Sequence, residues 1–278
     1  MRLILTTTLV MTAFAANSVL NRAAVGGGQI GSMDFAALRL VSGAAVLALL
    51  ATWRSGTAWL AGFRAVNIGA LATYVIGFSL AYVALPAGAG ALILFATVQV
   101  TMFGGAVLTR DAIPARRWIG AVAALAGLAW MLLPGSGGVA AGPGVLMVIA
   151  GIGWGVYSLR GGAGGGPLHT TTASFVGAVP IGLAAWLLAG PAPFTGTGAA
   201  LAIVSGAVTS GLGYALWYAV LPALGATRAA LSQLTVPVIA VLGGAALLAE
   251  PVSLRLVLSC AIVIGGVAFG LAPSRARA

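Results

Sequence analysis

The sequence predicts an all-α integral membrane protein of ten transmembrane helices, arranged as two inverted five-helix repeats. Three observations carry that expectation. The 278 residues are 61% hydrophobic and only 6% charged, with a mean hydropathy of +1.12, whereas soluble domains carry about a quarter charged residues. Breaking the chain at glycine, proline and arginine clusters leaves ten apolar stretches of the ~20-residue length that crosses a bilayer. And one ten-residue phrase is written twice, GFSLAYVALP at 77–86 and GYALWYAVLP at 213–222. So few charges cannot cover a water-facing surface, so the chain's solvent is a bilayer.

The predicted spans are 3–22, 33–52, 65–85, 88–109, 116–133, 143–160, 170–189, 198–220, 226–248 and 253–271. Their connections are short. GSGGVAAGPG and AGPAPFTGTG are uncharged turn sequences, while WRSGTAWLAGFR carries two arginines. The 42 glycines, about twice the usual share, suit membrane helices, where small residues let backbones approach closely. The opening MRLILTTTLVMTAFAA has the outline of a signal peptide. Its apolar run continues through Asn17 to Leu20, however, and its removal would leave nine spans. It is read as the first span.

Charge sets the direction. The net charge of +10 comes from thirteen arginines, no lysine and three acids. With a cytoplasmic N-terminus, Arg2, Arg54, Arg64, Arg110, Arg116, Arg117, Arg160, Arg228, Arg275 and Arg277 all fall inside. Only Arg22 and Arg255 fall outside, and Arg39 lies within the second span. The opposite orientation breaks the positive-inside rule. The expectation is a bacterial inner-membrane protein with both termini cytoplasmic, its basic residues serving topology rather than nucleic acid.

The repeated phrase is part of a longer self-similarity. Gly77, Leu80, Tyr82, Leu85 and Pro86 recur as Gly213, Leu216, Tyr218, Leu221 and Pro222, and Phe78 recurs as Tyr214. TVQV at 97–100 is echoed by TVPV at 235–238, and Asp111, Arg116 and Gly127 by Glu250, Arg255 and Gly266. Phe14 and Ser18 match Trp154 and Ser158. Each half holds five spans, an odd number, so the second enters the membrane from the opposite side. The expected organisation is a first repeat at 1–134, a short periplasmic linker at 135–142, and a second repeat at 143–278 with a short cytoplasmic tail. In secondary transporters built this way, substrate binds between the halves near the midplane.

The closing pattern ALLAEPVSLRLVLSCAIVIGGVAF, an arginine in the second span (FAALRLVSGAAVLAL) and the five-plus-five helices resemble the EamA family of the drug/metabolite transporter superfamily. The compact loops and tyrosine-rich third span are most similar to its YddG-type exporters of aromatic amino acids. The family often ends its first half with Glu-Pro where this chain has Asp111-Ala112. The resemblance implies a central cavity lined by spans 1, 3, 4, 6, 8 and 9, with spans 5 and 10 peripheral. Span 10 is almost wholly aliphatic, while spans 1, 3, 6 and 8 carry polar and aromatic residues in their interiors.

Catalysis finds no foothold. Three acids, His169 and Cys260 are widely separated, so neither a metal cluster nor a nucleophile–base–acid set forms, and no cofactor is expected. A single cysteine excludes an internal disulfide. The run GGAGGG at 161–166 lacks the strand-and-helix context of a phosphate loop and reads as a linker.

Binding candidates remain. Tyr74, Phe78 and Tyr82 recur at i, i+4 and i+8 on one face of the third span, and Ser210, Tyr214 and Tyr218 repeat that face in the eighth, with Trp217 beside it. An interfacial aromatic belt competes with cavity lining for Tyr82 and Tyr218, while Phe78 and Tyr214 lie too deep for a belt. Trp154 and Tyr157 in span 6, Asn17 and Asn21 in span 1, Gln99 in span 4 and Gln233 in span 9 are further candidates. Their amides need partners in the membrane, either substrate or another helix. Arg39, the clear charge inside a span, is read two ways, as a carboxylate ligand or as a bond to helix-end carbonyls. Pro86 and Pro222 are expected to close their helices. Pro237 is placed mid-span as a kink and alternating-access hinge.

The expected function is a secondary transporter exporting small organic solutes, foremost aromatic and other neutral amino acids. Asp34, Asp111 and Glu250 fall at predicted helix ends, where capping accounts for them, so facilitated diffusion or exchange is expected over carboxylate-based proton coupling. Efflux of hydrophobic cationic drugs, or a membrane channel or scaffold, are the alternatives.

Overall fold

In a bilayer every backbone N–H and C=O must find its partner within the protein, which leaves helices as the economical answer for this chain. The computed structural model describes residues 1–108, 114–133, 139–160 and 166–271. It is about 88% helix, without a strand among the described residues. The helices are α1 (Arg2–Asn21), α2 (Ser32–Ser55), α3 (Ala65–Ala81), α4 (Ala87–Leu108), α5 (Ala115–Leu132), α6 (Ala141–Arg160), α7 (Pro167–Ala189), α8 (Gly196–Val204), α9 (Gly213–Gln233), α10 (Thr235–Leu248) and α11 (Leu254–Leu271). A π-helical segment, Arg22–Gly26, extends α1, and a second, Ser205–Leu212, joins α8 to α9. The eighth span is therefore α8, its π segment and the start of α9; α10 and α11 are the ninth and tenth.

Seven helices are long and apolar enough to cross a membrane, and Ala65–Ala81 and Leu254–Gly270 are shorter apolar ones. With α5 they make ten. Neighbours come in symmetric couples, as an inverted repeat requires. The packing of α3 on α6 is mirrored by α1 on the eighth span, and α4 on α6 by α1 on α10. The pairs α2–α7, α4–α10 and α5–α11 sit across the pseudo-twofold axis. A central cavity lies between the halves, lined from α1, α3, α4, α6 and α9. The α5–α11 pair stands outside it. There a Cβ on Gly120 would sit 2.6 Å from the Gly266 carbonyl oxygen, so only glycine permits that approach.

Hydrogen bonds tie the ends. At the end opposite Met1, Arg255 donates to the carbonyls of Trp130 and Leu133, closing the C-terminus of α5. At the Met1 end, Ser55 and His169 lie 2.7 Å apart. Asp34 sits in the first turn of α2, where its carboxylate accepts from the Trp186 indole at 2.7 Å.

Two proline expectations need correction. Pro86 lies between α3 and α4 as expected, but Pro222 is inside α9 and helical backbone continues past it to Gln233. A proline removes one main-chain bond and bends a helix; neighbouring helices can re-satisfy the freed carbonyl in a membrane. Pro237 is the third residue of α10, not mid-helix. In the first turn a missing N–H costs nothing, and the discontinuity falls at Leu234 instead.

Candidate functional site

The π segment of the eighth span is the local device on which the centre is built. A π turn is wider than an α turn and recurs at functional sites. Gly206 lets it approach α2, since a Cβ there would fall 2.3 Å from the Arg39 carbonyl oxygen. The segment turns Ser205, Thr209 and Ser210 towards α1, where all three hydroxyls donate to Asn17 Oδ1 at 2.8, 2.5 and 3.3 Å. One amide oxygen thus serves three hydroxyls, and its acceptor capacity is full.

Arg39 is fully buried. Its Nε donates to Ser210 Oγ at 3.0 Å, and Nη2 donates to the Tyr74 hydroxyl at 2.9 Å and the Tyr214 hydroxyl at 3.5 Å. The guanidinium carbon lies 5.2 Å from the centre of the Tyr74 ring and 5.0 Å from that of Phe78, within cation–π range. Nη1 has no hydrogen-bond partner. Helix-end carbonyls do not hold this arginine; hydroxyls and rings do.

Around it stands a cage of rings. Phe14 meets Trp154, Tyr214 and Trp217 edge-on at 6.1, 5.5 and 5.8 Å between centres. Trp154 also lies 5.0 Å from Tyr74 and 4.8 Å from Tyr214. Phe14, Asn17, Tyr74, Phe78, Leu94, Phe95, Trp154 and Tyr214 enclose a cavity of about 10 Å³, the room of roughly one water molecule. In this conformation the centre is closed.

The two ends of the bundle differ. At the end opposite Met1, Arg22 Nε donates to Glu250 Oε1 at 3.2 Å, and its Nη1 donates to the carbonyls of Tyr82 and Val83 at 3.4 and 3.1 Å. Glu250 Oε2 accepts from the Ala87 backbone N–H at 2.8 Å, at the start of α4. Spans 1, 3, 4 and 9 are joined by that clamp. At the Met1 end a cleft of about 510 Å³ opens between Leu3, Ile4, Thr7, Thr8 and Met11 of α1 and Leu224, Ser232, Thr235 and Ile239. Less than one turn of α1, Met11 to Phe14, separates a residue lining the cleft from one lining the cavity.

Among the sequence-derived candidates, Asn17, Phe78, Trp154 and Tyr214 line the cavity. Trp217 and Tyr157 form its outer shell, Tyr157 stacked on Trp154 at 5.4 Å and donating to Thr171 Oγ1 at 3.2 Å. Tyr82 and Tyr218 are buried rather than set at the surface like a belt; Tyr82 donates to the Ala87 carbonyl at 3.2 Å. Gln99 Nε2 and Gln233 Oε1 are buried without partners, away from the cavity lining. Asp111 and residues 161–165 lie outside the described residues. Sequence reasoning left Phe14, Leu94 and Phe95 off the site and had Tyr74 only as part of the aromatic face of the third span. The match of Phe14 to Trp154 in the repeat was the signal for the first. The Arg22–Glu250 pairing, 228 residues apart, had none. Among the described residues no group of three His, Cys, Asp or Glu could hold a metal.

The model of the EamA-like transporter family matches residues 143–271. Across its whole length the chain is 44% identical to an uncharacterized protein of Pseudomonas aeruginosa and covers 97% of it. A crystal structure of 20% identity shares the fold with a TM-score of 0.68, over 95% of this chain and 94% of that one.

Proposed function

The chain belongs to the EamA-like transporter family of the drug/metabolite transporter superfamily, multi-pass membrane carriers of small solutes, and on that premise we propose that it exports aromatic and other large neutral amino acids across a bacterial inner membrane by alternating access. One observation supports the reading: six aromatic rings from five spans line the cavity between the two repeats, and two of them, Tyr74 and Phe78, lie against a buried guanidinium. Rings stack on planar side chains and contribute ~0.5–1.5 kcal/mol each beyond area burial. The guanidinium offers a charge-assisted bond to a carboxylate.

The arginine distribution supports cytoplasmic termini. The Arg22–Glu250 clamp then seals the periplasmic side, and the cleft faces the cytoplasm. Release requires the clamp to part while α1 and α10 close over the cleft, exchanging one sealed end for the other around a fixed centre. Facilitated diffusion or exchange suits the distribution of acids. Asp34 and Glu250 are engaged at helix ends, and no carboxylate lines the cavity among the described residues. Hydrophobic cations suit this centre less, because a buried positive charge repels them.

The test is counterflow of labelled tryptophan in proteoliposomes containing the full chain. Saturable, trans-accelerated exchange without a pH difference is expected. Flux that stays linear with concentration would indicate a channel, and strict dependence on an imposed proton gradient would remove the facilitated mechanism.

A further inference from the structure

The polar atoms facing the centre are unevenly divided between donors and acceptors. Trp154 Nε1, on a residue that lines the cavity, and Arg39 Nη1, on a guanidinium held directly behind the lining rings of Tyr74 and Phe78, are buried donors without partners. The Tyr74 hydroxyl already accepts from Arg39 and from Tyr214, at 2.9 and 3.4 Å, which leaves its own proton to give. The acceptor side is spent: Asn17 Oδ1 takes three hydroxyls. The faces of Tyr74 and Phe78, which could hold a cation, already hold the guanidinium. Unpartnered atoms able to accept do occur, at Ser18 Oγ, Asn21 Oδ1, Gln233 Oε1 and Ser259 Oγ, but none belongs to a residue that lines the cavity.

A ligand that answers this arrangement supplies acceptors and negative charge. Its carboxylate would neutralise Arg39 and satisfy the idle donors, whereas an ammonium would enter beside a guanidinium with nothing to receive its protons. Buried charge without a partner is disfavoured in a low-dielectric interior. We infer that the central site recognises aromatic monocarboxylates through the carboxylate alone, so that the α-amino group is dispensable and anions such as indole- and phenyl-alkanoic acids are ligands. The inference rests on the aromatic site proposed above and narrows its chemistry. It also makes net flux of such acids electrogenic, since one negative charge crosses with each molecule, while exchange of one acid for another moves no net charge.

Three probes of one ring system separate the groups: indole-3-propionate (carboxylate only), tryptophan (both groups) and tryptamine (ammonium only). Their binding to the purified full chain is measured one at a time by calorimetry. The expected result is indole-3-propionate at least as tight as tryptophan and tryptamine weaker by about tenfold or more, a difference of ~1.4 kcal/mol. Arg39→Lys should keep the preference for acids while weakening it, and Arg39→Gln should abolish it. If Arg39→Gln does not fold, Trp154→Phe keeps a ring but removes one idle donor, and should weaken the two acids several-fold and tryptamine not at all. Tryptamine binding as tightly as indole-3-propionate, or tryptophan about tenfold tighter than it, overturns the inference and leaves the aromatic site standing. Failure of all three probes, with binding of a non-aromatic acid such as butyrate, removes the aromatic site itself.

Discussion

The phrase GFSLAYVALP and its copy GYALWYAVLP end in opposite circumstances. At the first, α3 stops, Tyr82 donates to the Ala87 carbonyl, and Arg22 gathers the carbonyls of Tyr82 and Val83 while holding Glu250. At the second, the helix runs on through Pro222 to Gln233, and Leu224 and Ser232 border an open cleft. Two related phrases, identical at five of their ten positions, are closed at one end and open at the other. The lesson is that the phrase does not choose its own state. Its partners do, and at the sealed end those are a cation from α1 and an anion from the far end of α10. Glu250's counterpart in the first repeat, Asp111, lies outside the described residues.

The largest effect is expected from disabling the centre on which both ends turn. Arg39→Gln loses its bonds to Tyr74, Tyr214 and Ser210; at ~1.5–3 kcal/mol for a bond to a charged group, uptake of aromatic acids should fall roughly tenfold to hundredfold. Initial uptake rates in proteoliposomes read this, and wild-type rates would reject a role for Arg39.

Next comes the seal. Glu250→Gln leaves Arg22 without its carboxylate. The pair is partly exposed, with 26% and 13% of the two side chains accessible. The loss is therefore discounted to about 1–2 kcal/mol, a shift of roughly five- to thirtyfold towards the state open at that end. Ser79→Cys in a Cys260→Ser background should then label faster with an impermeant thiol reagent added from that side, and the swap Arg22→Glu with Glu250→Arg should restore slow labelling. Unchanged labelling in Glu250→Gln would mean that the clamp holds nothing shut.

A subtler asymmetry concerns the paired tyrosines. Tyr82→Phe removes one buried bond to Ala87, about 1 kcal/mol, so the same labelling assay should show a severalfold rise. Its repeat partner Tyr218→Phe should show no rise at that end, because Tyr218 takes no part in that seal. Equal responses would erase the distinction drawn here. The smallest effect is expected from Pro237→Ala. In the first turn of α10 proline and alanine are both tolerated, so transport and melting temperature should move within about 0.5 kcal/mol. A tenfold loss would return Pro237 to the hinge role that its sequence position suggested.

Much of the fold was legible before any coordinates. Ten spans were readable because hydropathy is a local property, summed over ~20 residues. The inverted repeat was readable from Gly77, Tyr82 and Pro86 reappearing after an odd number of spans. At the centre, Phe78, Tyr214, Trp154 and Asn17 were named from depth and residue type. The same reasoning misplaced the end of the eighth span, because Pro222 carries an equal sign for a bend and for a stop. It left Tyr82 between an interfacial role and the cavity, because a tyrosine near a helix end looks the same in both settings.

Sequence alone, then, determined the solvent of this protein, its helix count and its duplicated, inverted plan, since each follows from composition and one-dimensional spacing. Tertiary structure decided who meets whom. That Asn17 Oδ1 is saturated, that Arg39 keeps one nitrogen free, and that Arg22 finds Glu250 across 228 residues all depend on how closely helices cross. Crossing distance is set by which glycines face which backbones, as Gly206 does against Arg39. It is a property of pairs of surfaces, and no single stretch of chain contains it.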